Sequence, residues 1–176
     1  MIGGMGAAPA EPVEWLDLVN ERDEVTGRVT REDAWAWRLP VRVVNAFLVN
    51  ARGQLWIPRR TQTKRTFPGC LDMSVGGHVE SGESYEQAFR RETREELNLN
   101  VDDLPWREIA AFSPFQTPLS TFMRVYELRA DEAPAFNTAD FSGAEWLTPA
   151  ELLERVARGD PAKGDLAELV RRCYPT

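Results

Sequence analysis

Apolar positions along the chain cluster into stretches whose length and spacing predict a sheet. The stretch VRVVNAFLVN is nearly all apolar, which is typical of a central strand buried on both faces. Two shorter stretches flank the charged turn ERDE and predict a β-hairpin. The predicted strands are Trp15–Asn20, Val25–Thr30, Val41–Asn50, Gln54–Arg60, Trp106–Phe112 and Ser120–Arg129.

Capping signals predict where the helices begin. Ser84 and Gln87 have the spacing of a capping box, and Thr148 precedes a Pro-Ala-Glu helix start. Asn98 can take the left-handed position that ends a helix. The predicted helices are REDAWAW after Thr30, Tyr85–Leu97, ELLERVAR after Thr148 and DLAELVRRCY near the C-terminus. Strands and helices interleave without strict alternation, so we expect an α/β fold with a mixed sheet covered by helices on both sides.

Composition limits the possible partners. A net charge of −7 disfavours binding to nucleic acid or to an anionic membrane, which needs a basic face. The two cysteines are far apart in the chain and lack metal-ligand spacing, so a reducing, cytoplasmic setting fits best. Residues 1–12 have no signal-peptide pattern and are predicted to be a disordered tail. Residues 13–176 are predicted to form one domain.

Three glutamates crowd onto the second predicted helix. Like charges three or four residues apart on a helix repel each other by a few tenths of a kcal/mol per pair. At about 100° per residue, Glu92, Glu95 and Glu96 lie on the same side of the helix as its apolar residues. The three carboxylates are therefore predicted to point toward the body of the protein rather than into solvent.

Inward-facing carboxylates need a compensating charge, because burying an unpaired charge is very costly. Arg91 lies beside them, but one guanidinium cannot neutralise three acids. A divalent cation with oxygen ligands can, and Mg²⁺ typically uses one or two carboxylates together with substrate phosphates. The acidic helix thus predicts a site for a divalent cation.

The stretch GGHVESGESYEQAFRRETREELNLN resembles the signature of the Nudix family, the Nudix box. Seven positions fit that signature in register: Gly77, Glu83, Arg91, Glu92, Glu95, Glu96 and Leu99. Two positions depart from it, since Thr93 replaces a hydrophobic residue and Asn98 replaces the final glycine. Both departures are compatible with the helix, because Thr is β-branched and Asn accepts the left-handed cap.

The resemblance implies a Nudix α/β/α sandwich with a mixed sheet, and hydrolysis of a diphosphate linkage that depends on Mg²⁺ or Mn²⁺. Glu92, Glu95 and Glu96 would hold the metal, whose charge would offset that of the phosphates and lower the pKa of a water molecule. Glu95 is the choice for the base that takes the proton of that water.

The resemblance also implies roles for three neighbouring residues. Glu83 would support the metal-binding glutamates, and Arg91 would orient them by ion pairing. Gly77 would let the backbone approach the site. Without the resemblance, Arg91 is an ordinary helix ion pair with Glu95, and Glu83 is an acid near a helix N-terminus.

Residues from about 15 to 158 resemble the isopentenyl-diphosphate-isomerase-like branch of this superfamily. A true isomerase needs a cysteine immediately before the Gly-His pair, and this chain has Gly76 there. It also needs three histidines for a metal, and the chain has only His78. The sequence therefore favours a hydrolase, with a non-catalytic nucleotide-binding module and, less favoured, the isomerase as alternatives.

The expected substrate is a nucleoside di- or triphosphate or a related diphosphate, bound by a monomer or a homodimer. The basic loop before the Nudix box, within the stretch IPRRTQTKRTFPG, offers candidates for phosphate binding. These candidates are Arg59, Arg60, Lys64 and Arg65, joined by Gly77 and His78 at the start of the box. His78 could bind phosphate or a second metal, although a lone histidine is more often a structural hydrogen-bonder. Stacking on the base could come from Trp56, Phe112, Phe115 or Tyr126, although core packing is the more ordinary role of each.

Overall fold

The computed structural model describes residues 11–176, so most of the predicted N-terminal tail lies outside the described residues. The strands are β1 Trp15–Val19, β2 Val25–Thr30, β3 Arg42–Val49, β4 Leu55–Arg60, β5 Val75–His78, β6 Trp106–Phe112, β7 Phe122–Arg129 and β8 Phe141–Leu147. The helices are α1 Arg31–Trp37, α2 Tyr85–Leu97, α3 Pro149–Ala157 and α4 Leu166–Cys173. None of the helices in the described part of the chain combines the length and apolar character needed to cross a membrane.

Strand β3 is the centre of the main sheet. Five strands lie in the order β6-β7-β3-β4-β8, and β5 pairs with the first half of β3. The β3–β7 pair is parallel and the other pairs are antiparallel, so the sheet is mixed, as predicted. Nearly all of β3 is buried, which confirms the inference from its continuous apolar run. Strands β1 and β2 form the predicted hairpin as a separate sheet.

Helices cover both faces of the main sheet. On one face, Phe89 of α2 stacks on Tyr126 of β7 with the ring centroids 4.2 Å apart, in a core that also contains Trp56. On the other face, Leu152 of α3 and Leu169 of α4 are fully buried against the sheet. The predicted α/β/α sandwich is therefore confirmed, with the acidic helix on one face and the two C-terminal helices on the other.

Local signals located the helices correctly. The Ser84 hydroxyl accepts a hydrogen bond from the Gln87 backbone N–H, while the Gln87 side chain accepts one from the Ser84 N–H. Thr148 makes the equivalent capping box at α3. Asn98 ends α2 with φ 54° and ψ 31°, in the predicted left-handed conformation. Each of these signals depends only on residues a few positions apart, which is why the sequence sufficed.

Two strands were not predicted, β5 and β8. Strand β5 is only four residues long, VGGH, and glycine is depleted in strands. Strand β8 contains Gly143 and alternates only weakly between apolar and polar positions. Strand β5 is stabilised by pairing with β3, and β8 by pairing with β4. These partners are distant in the sequence, so the local pattern of residues does not indicate the pairing.

Strands β3 and β4 are joined near the end of β3 through a buried serine. Ser74 lies just before β5, and its Oγ accepts a hydrogen bond from the Leu48 N–H at 2.9 Å. The same hydroxyl donates to the carbonyl oxygen of Trp56 at 2.6 Å. The Ser74 side chain thereby satisfies one donor on β3 and one acceptor on β4 where the direct β3–β4 pairing is short.

We expect Ser74→Ala to lower the free energy of unfolding by about 2 kcal/mol, because it leaves a buried N–H and a buried carbonyl without their partner. Urea unfolding of the wild type and the variant measures the change. Ser142→Ala, on the exposed part of β8, is the matched control and should change stability by no more than about 0.5 kcal/mol. Equal stability of the two variants would contradict the bridging role of Ser74.

Candidate active site

The acidic residues of α2 do not all face the interior. The residues of α2 that are fully buried are Ala88, Phe89, Thr93 and Leu97. The buried stripe is therefore centred between Phe89 and Thr93, so that Glu92 and Glu96 lie beside it. Glu95 lies about 140° from that centre, and 57% of its side chain is exposed. The expectation that three carboxylates point inward is thus correct for Glu92 and Glu96 and wrong for Glu95.

Arg91 binds two of the acids of the Nudix box at once. Its Nε and Nη2 donate to the two carboxylate oxygens of Glu83 at 2.8 and 3.0 Å, which is a bidentate pair. Its Nη1 donates to Glu92 Oε1 at 2.7 Å, and Nη2 also donates to the carbonyl oxygen of His78 at 3.0 Å. Arg91 therefore fixes Glu92 relative to the end of β5.

Glu83 is ionised in this arrangement. Burial by itself would raise the pKa of Glu83, but hydrogen bonds from Arg91 and from the backbone N–H of Glu80, with the charge of Arg91, hold the pKa below its ordinary value. Glu95 lies on the open side of the same guanidinium, with Oε2 3.4 Å from Arg91 Nη1. Glu83 is thus held rigidly by two donors, whereas Glu95 remains exposed and loosely paired.

Two glycines on β5 make room for the carboxylates. A Cβ at Gly77 would overlap the carboxylate of Glu92, so Glu92 can occupy its place only while residue 77 lacks a side chain. The N–H of Gly76 donates to Glu96 Oε1 at 3.4 Å. A Cβ at Gly76, the position where an isomerase needs its cysteine, would lie 2.9 Å from Asn45 Oδ1 on β3, so a side chain there would require the buried Asn45 amide to shift.

The electrostatics of Glu92 and Glu96 suit a cation. Burial raises the pKa of Glu92 to about 7, although the charge of Arg91 and its hydrogen bond oppose this. Burial also raises the pKa of Glu96 well above its ordinary value, and the charges of Glu92 and Asp72 raise it further, while Lys163 lowers it. Two carboxylates in this position must share a proton or bind a positive ion.

The donor set fits Mg²⁺ or Mn²⁺, because Glu92 and Glu96 present hard oxygen ligands. Among residues 11–176, no three Asp, Glu, His or Cys side chains are already gathered as a ligand set. Mg²⁺ uses one or two carboxylates and completes its shell with water and substrate phosphates, so two inward glutamates suffice. Glu95 would have to turn from its exposed position to join them.

A cavity of about 800 Å³ opens in front of these carboxylates. Its acidic wall includes Glu92, Glu95 and Glu96. Of the basic-loop candidates, Arg60 and Lys64 line it, whereas Arg59 and Arg65 do not. Arg59 is instead held by Asp160, with Nη1–Oδ1 at 3.0 Å, and Arg65 is exposed beside Glu11 and Glu32.

The two loop cations at the cavity already have acidic partners. Arg60 Nη1 donates to Asp72 Oδ2 at 2.7 Å, and the largely buried pair is further fixed by a hydrogen bond from Arg60 Nε to the Thr66 carbonyl. Lys64 forms an ion pair with Asp140. Any phosphate that binds these side chains would therefore compete with a carboxylate.

Lys163 is a cavity residue that sequence reasoning missed. It lies in the loop between α3 and α4, and 26% of its side chain is exposed. Within residues 11–176 its ammonium group has no hydrogen bond, and its ion partner is Asp72, with Oδ1 3.7 Å away. The other oxygen of Asp72 already binds Arg60. No motif places Lys163 here, because its loop is joined to the segment before β5 through tertiary contacts, such as the backbone hydrogen bond from the Lys163 N–H to the Leu71 carbonyl.

His78 lines the cavity as an uncharged ring. Burial lowers the pKa of His78 to about 3, and the charges of Arg31 and Lys163 lower it further, so the imidazole carries no positive charge near pH 7. The backbone carbonyl of His78, rather than its ring, contacts Arg91. His78 consequently offers phosphate no ionic attraction, and Gly77 contributes space rather than a charge.

The aromatic residues considered for base stacking do not line the cavity. Trp56 and Tyr126 are buried in the core on the α2 face, and Tyr126 is covered by Phe89. The cavity is lined instead by Trp35 of α1 and Phe67 of the basic loop. These two belong to segments that are distant from each other in the chain, which explains why periodicity did not identify them.

The chain is similar to known proteins over most of its length. The NUDIX domain family matches residues 39–170. A Nudix hydrolase of Deinococcus radiodurans is 67% identical over 162 residues, which cover 92% of this chain and 94% of that protein. An uncharacterized Nudix hydrolase of Nostoc sp., all7351, is 47% identical over 165 residues, covering 93% of this chain and 98% of that protein.

Solved structures show the same fold. The crystal structure of DR0079 from Deinococcus radiodurans matches with a TM-score of 0.88 and 65% identity, covering 92% of this chain and 99% of that one. A MutT protein from Methanosarcina mazei matches with a TM-score of 0.56 at 19% identity, covering 74% of this chain and 90% of that one. The architecture, the arrangement of the Nudix box and these relatives together show that the chain belongs to the Nudix hydrolase family.

Proposed function

We propose that the protein is a Mg²⁺- or Mn²⁺-dependent hydrolase that cleaves the diphosphate linkage of nucleoside di- or triphosphates or related nucleoside diphosphate derivatives. The observation that supports this most directly is the pair of inward carboxylates, Glu92 and Glu96. Arg91 and Gly77 hold one of them in a cavity that also has cationic side chains. Free thiols at Cys70 and Cys173 suit the cytoplasm as its location.

In this proposal Glu92 and Glu96 bind the divalent cation, with Glu95 as a further ligand when it turns inward. The bound cation would supply positive charge for the bridging phosphates and make a nearby water molecule more acidic. Glu95 is also our choice for the base that accepts the proton of that water, because its carboxylate is exposed at the edge of the cavity. Glu83 acts only through Arg91, which it keeps oriented toward Glu92.

The phosphate chain of the substrate would lie between the carboxylates and the cations of the cavity. Arg60 and Lys64 each have an acidic partner already. Of these three cations, Lys163 has only the distant contact with Asp72, and its charge acts on Glu96, so a phosphate that approaches the carboxylates displaces the weakest ion pair there. We therefore assign the first phosphate contact to Lys163 and secondary contacts to Arg60 and Lys64.

Glu96→Gln should reduce diphosphate hydrolysis by about 100-fold or more, because the variant loses a charged oxygen ligand but keeps the shape of the side chain. EDTA should abolish hydrolysis by the wild type, and added Mg²⁺ should restore it. Phosphate release from a panel of nucleoside di- and triphosphates and nucleotide sugars measures both effects.

Glu86→Gln is the matched control for that variant, since Glu86 is an exposed acid of the same helix that pairs with Arg90. It should leave hydrolysis nearly unchanged. Undiminished hydrolysis by Glu96→Gln would refute the proposal.

Metal binding should release protons in a pH-dependent way. Since the pKa of Glu92 is raised to about 7 in the folded protein, the folded state binds more protons than the unfolded state between about pH 4.5 and 7. The proton bound at Glu92 stabilises the folded state at low pH, and this stabilisation is lost as the pH rises through the window. A cation bound to the ionised carboxylate would take the place of that proton. Mg²⁺ should therefore raise the melting temperature more at pH 8 than at pH 6.

Differential scanning fluorimetry of the wild type and Glu92→Gln at both pH values checks this linkage. The variant should show a smaller Mg²⁺ effect, and the difference between the two pH values should be smaller than in the wild type. Identical Mg²⁺ shifts at pH 6 and pH 8 in the wild type would count against Glu92 as a ligand.

Lys163→Met should lower kcat/KM by about 10- to 100-fold, mainly through KM, because a charged hydrogen bond to phosphate is lost while the aliphatic stem is kept. Arg171→Met, an exposed charge removal on α4, controls for the change in net charge. Steady-state kinetics on the best nucleotide of the panel compares the two variants. Equal kinetics would exclude Lys163 from substrate binding.

A further inference from the structure

Helix α1 and the basic loop place two aromatic rings beside each other at the cavity. The ring centroids of Trp35 and Phe67 are 6.2 Å apart, with an interplanar angle of 56°. Both residues line the cavity that contains Glu92 and Glu96. Trp35 is 50% exposed, so part of its indole is open to whatever occupies that space. The cavity therefore has an apolar aromatic patch in addition to its acidic and basic walls.

The other tryptophan of α1, Trp37, is also exposed but lies outside the cavity. Trp37 is two residues further along α1 and is 74% exposed, but it does not line the cavity. Of the two tryptophans, Trp35 lines the cavity with the acidic and basic residues, because positions two residues apart on a helix lie about 200° apart. The helix thus provides one tryptophan at the cavity and one outside it.

The backbone of Phe67 has a conformation that is strained for a bulky residue. Its φ is 50°, in the left-handed region that bulky residues rarely adopt. The residue also precedes Pro68, and a residue before proline favours an extended backbone. Strain of this kind persists only where the surroundings hold it, and it clusters at ligand sites.

Hydrogen bonds and packing around Phe67 keep it in this conformation. Its carbonyl accepts a hydrogen bond from the Cys70 N–H at 3.3 Å, and the preceding carbonyl, of Thr66, accepts one from Arg60 Nε at 3.1 Å. On the other side of the ring lies Gly164, where a Cβ would be 3.9 Å from Phe67 Cζ. The ring is therefore fixed between α1 and the loop that contains Lys163.

We propose that Trp35 and Phe67 form an aromatic subsite that stacks the base of a nucleoside substrate while its phosphates extend toward Glu92 and Glu96. The inference rests on the proposed function and adds the part of the site that distinguishes a nucleotide from a diphosphate without a base. Stacking suits a half-exposed indole because every nucleobase presents a planar face. Lys163 and Lys64 line the same cavity and would be the cations that meet the phosphates.

The test compares Trp35→Ala with Trp37→Ala, which removes the same side chain from the same helix outside the cavity. Trp35→Ala should raise KM for nucleoside diphosphates by about 10-fold or more with a small change in kcat, whereas Trp37→Ala should leave both constants near wild type. For inorganic pyrophosphate and isopentenyl diphosphate, which lack a base, the two variants should behave alike. Trp35→Phe should recover most of the lost affinity and Trp35→Leu should not.

Direct binding separates this inference from the proposed function. Isothermal titration of nucleoside 5′-monophosphates should show about 10-fold weaker binding to Trp35→Ala than to Trp37→Ala, even if no nucleotide is hydrolysed. Equal affinities would overturn the subsite and leave the hydrolase proposal intact. An equal loss on base-free diphosphates, or full recovery by Trp35→Leu, would also overturn it, because the pair would then support the cavity only by packing.

Discussion

The ion-pair network around Arg91 is the interaction on which the rest of the site depends. One guanidinium binds Glu83 through two oxygens and Glu92 through a third, while it also holds the backbone at His78. This single positive charge is shared by Glu83, Glu92 and, more loosely, Glu95, whereas Glu96 is a further buried carboxylate that forms no ion pair with Arg91. Glu92 and Glu96 therefore lack enough nearby positive charge to ionise together without a further proton or cation, and a divalent cation fits their oxygen ligands.

The same network imposes a constraint on the sheet. Glu92 can reach its place only because Gly77 has no side chain, and Gly76 similarly leaves the space that Asn45 occupies. Two consecutive glycines weaken a strand, since they lose more conformational entropy on folding and provide no side chain to pack. Strand β5 is therefore short and depends on its pairing with β3. Local rules fail at β5 because the site requires residues that a strand does not favour.

The parts of the structure that were predictable are those whose causes are local. The capping boxes at Ser84 and Thr148 involve residues three positions apart, so the sequence fixes them without knowledge of the fold. The predicted orientation of Glu95 was wrong because the centre of the buried stripe depends on which elements pack against α2. Lys163 and Trp35 gave no local signal at all, since their proximity to the acids results from tertiary packing of three separate segments.

The residues that carry out the chemistry and those that select the substrate come from different parts of the chain. The Nudix box supplies α2, the end of β5 and the carboxylates, which is the wall that the family shares. The opposite walls come from α1, from the loop after β4 and from the loop between α3 and α4, all outside the box. Family membership therefore constrains the bond that is cleaved much more than the group attached to it. Substrate specificity must therefore be sought in the side chains of the other walls, which include a weakly paired lysine and an aromatic pair whose Phe67 has a strained backbone.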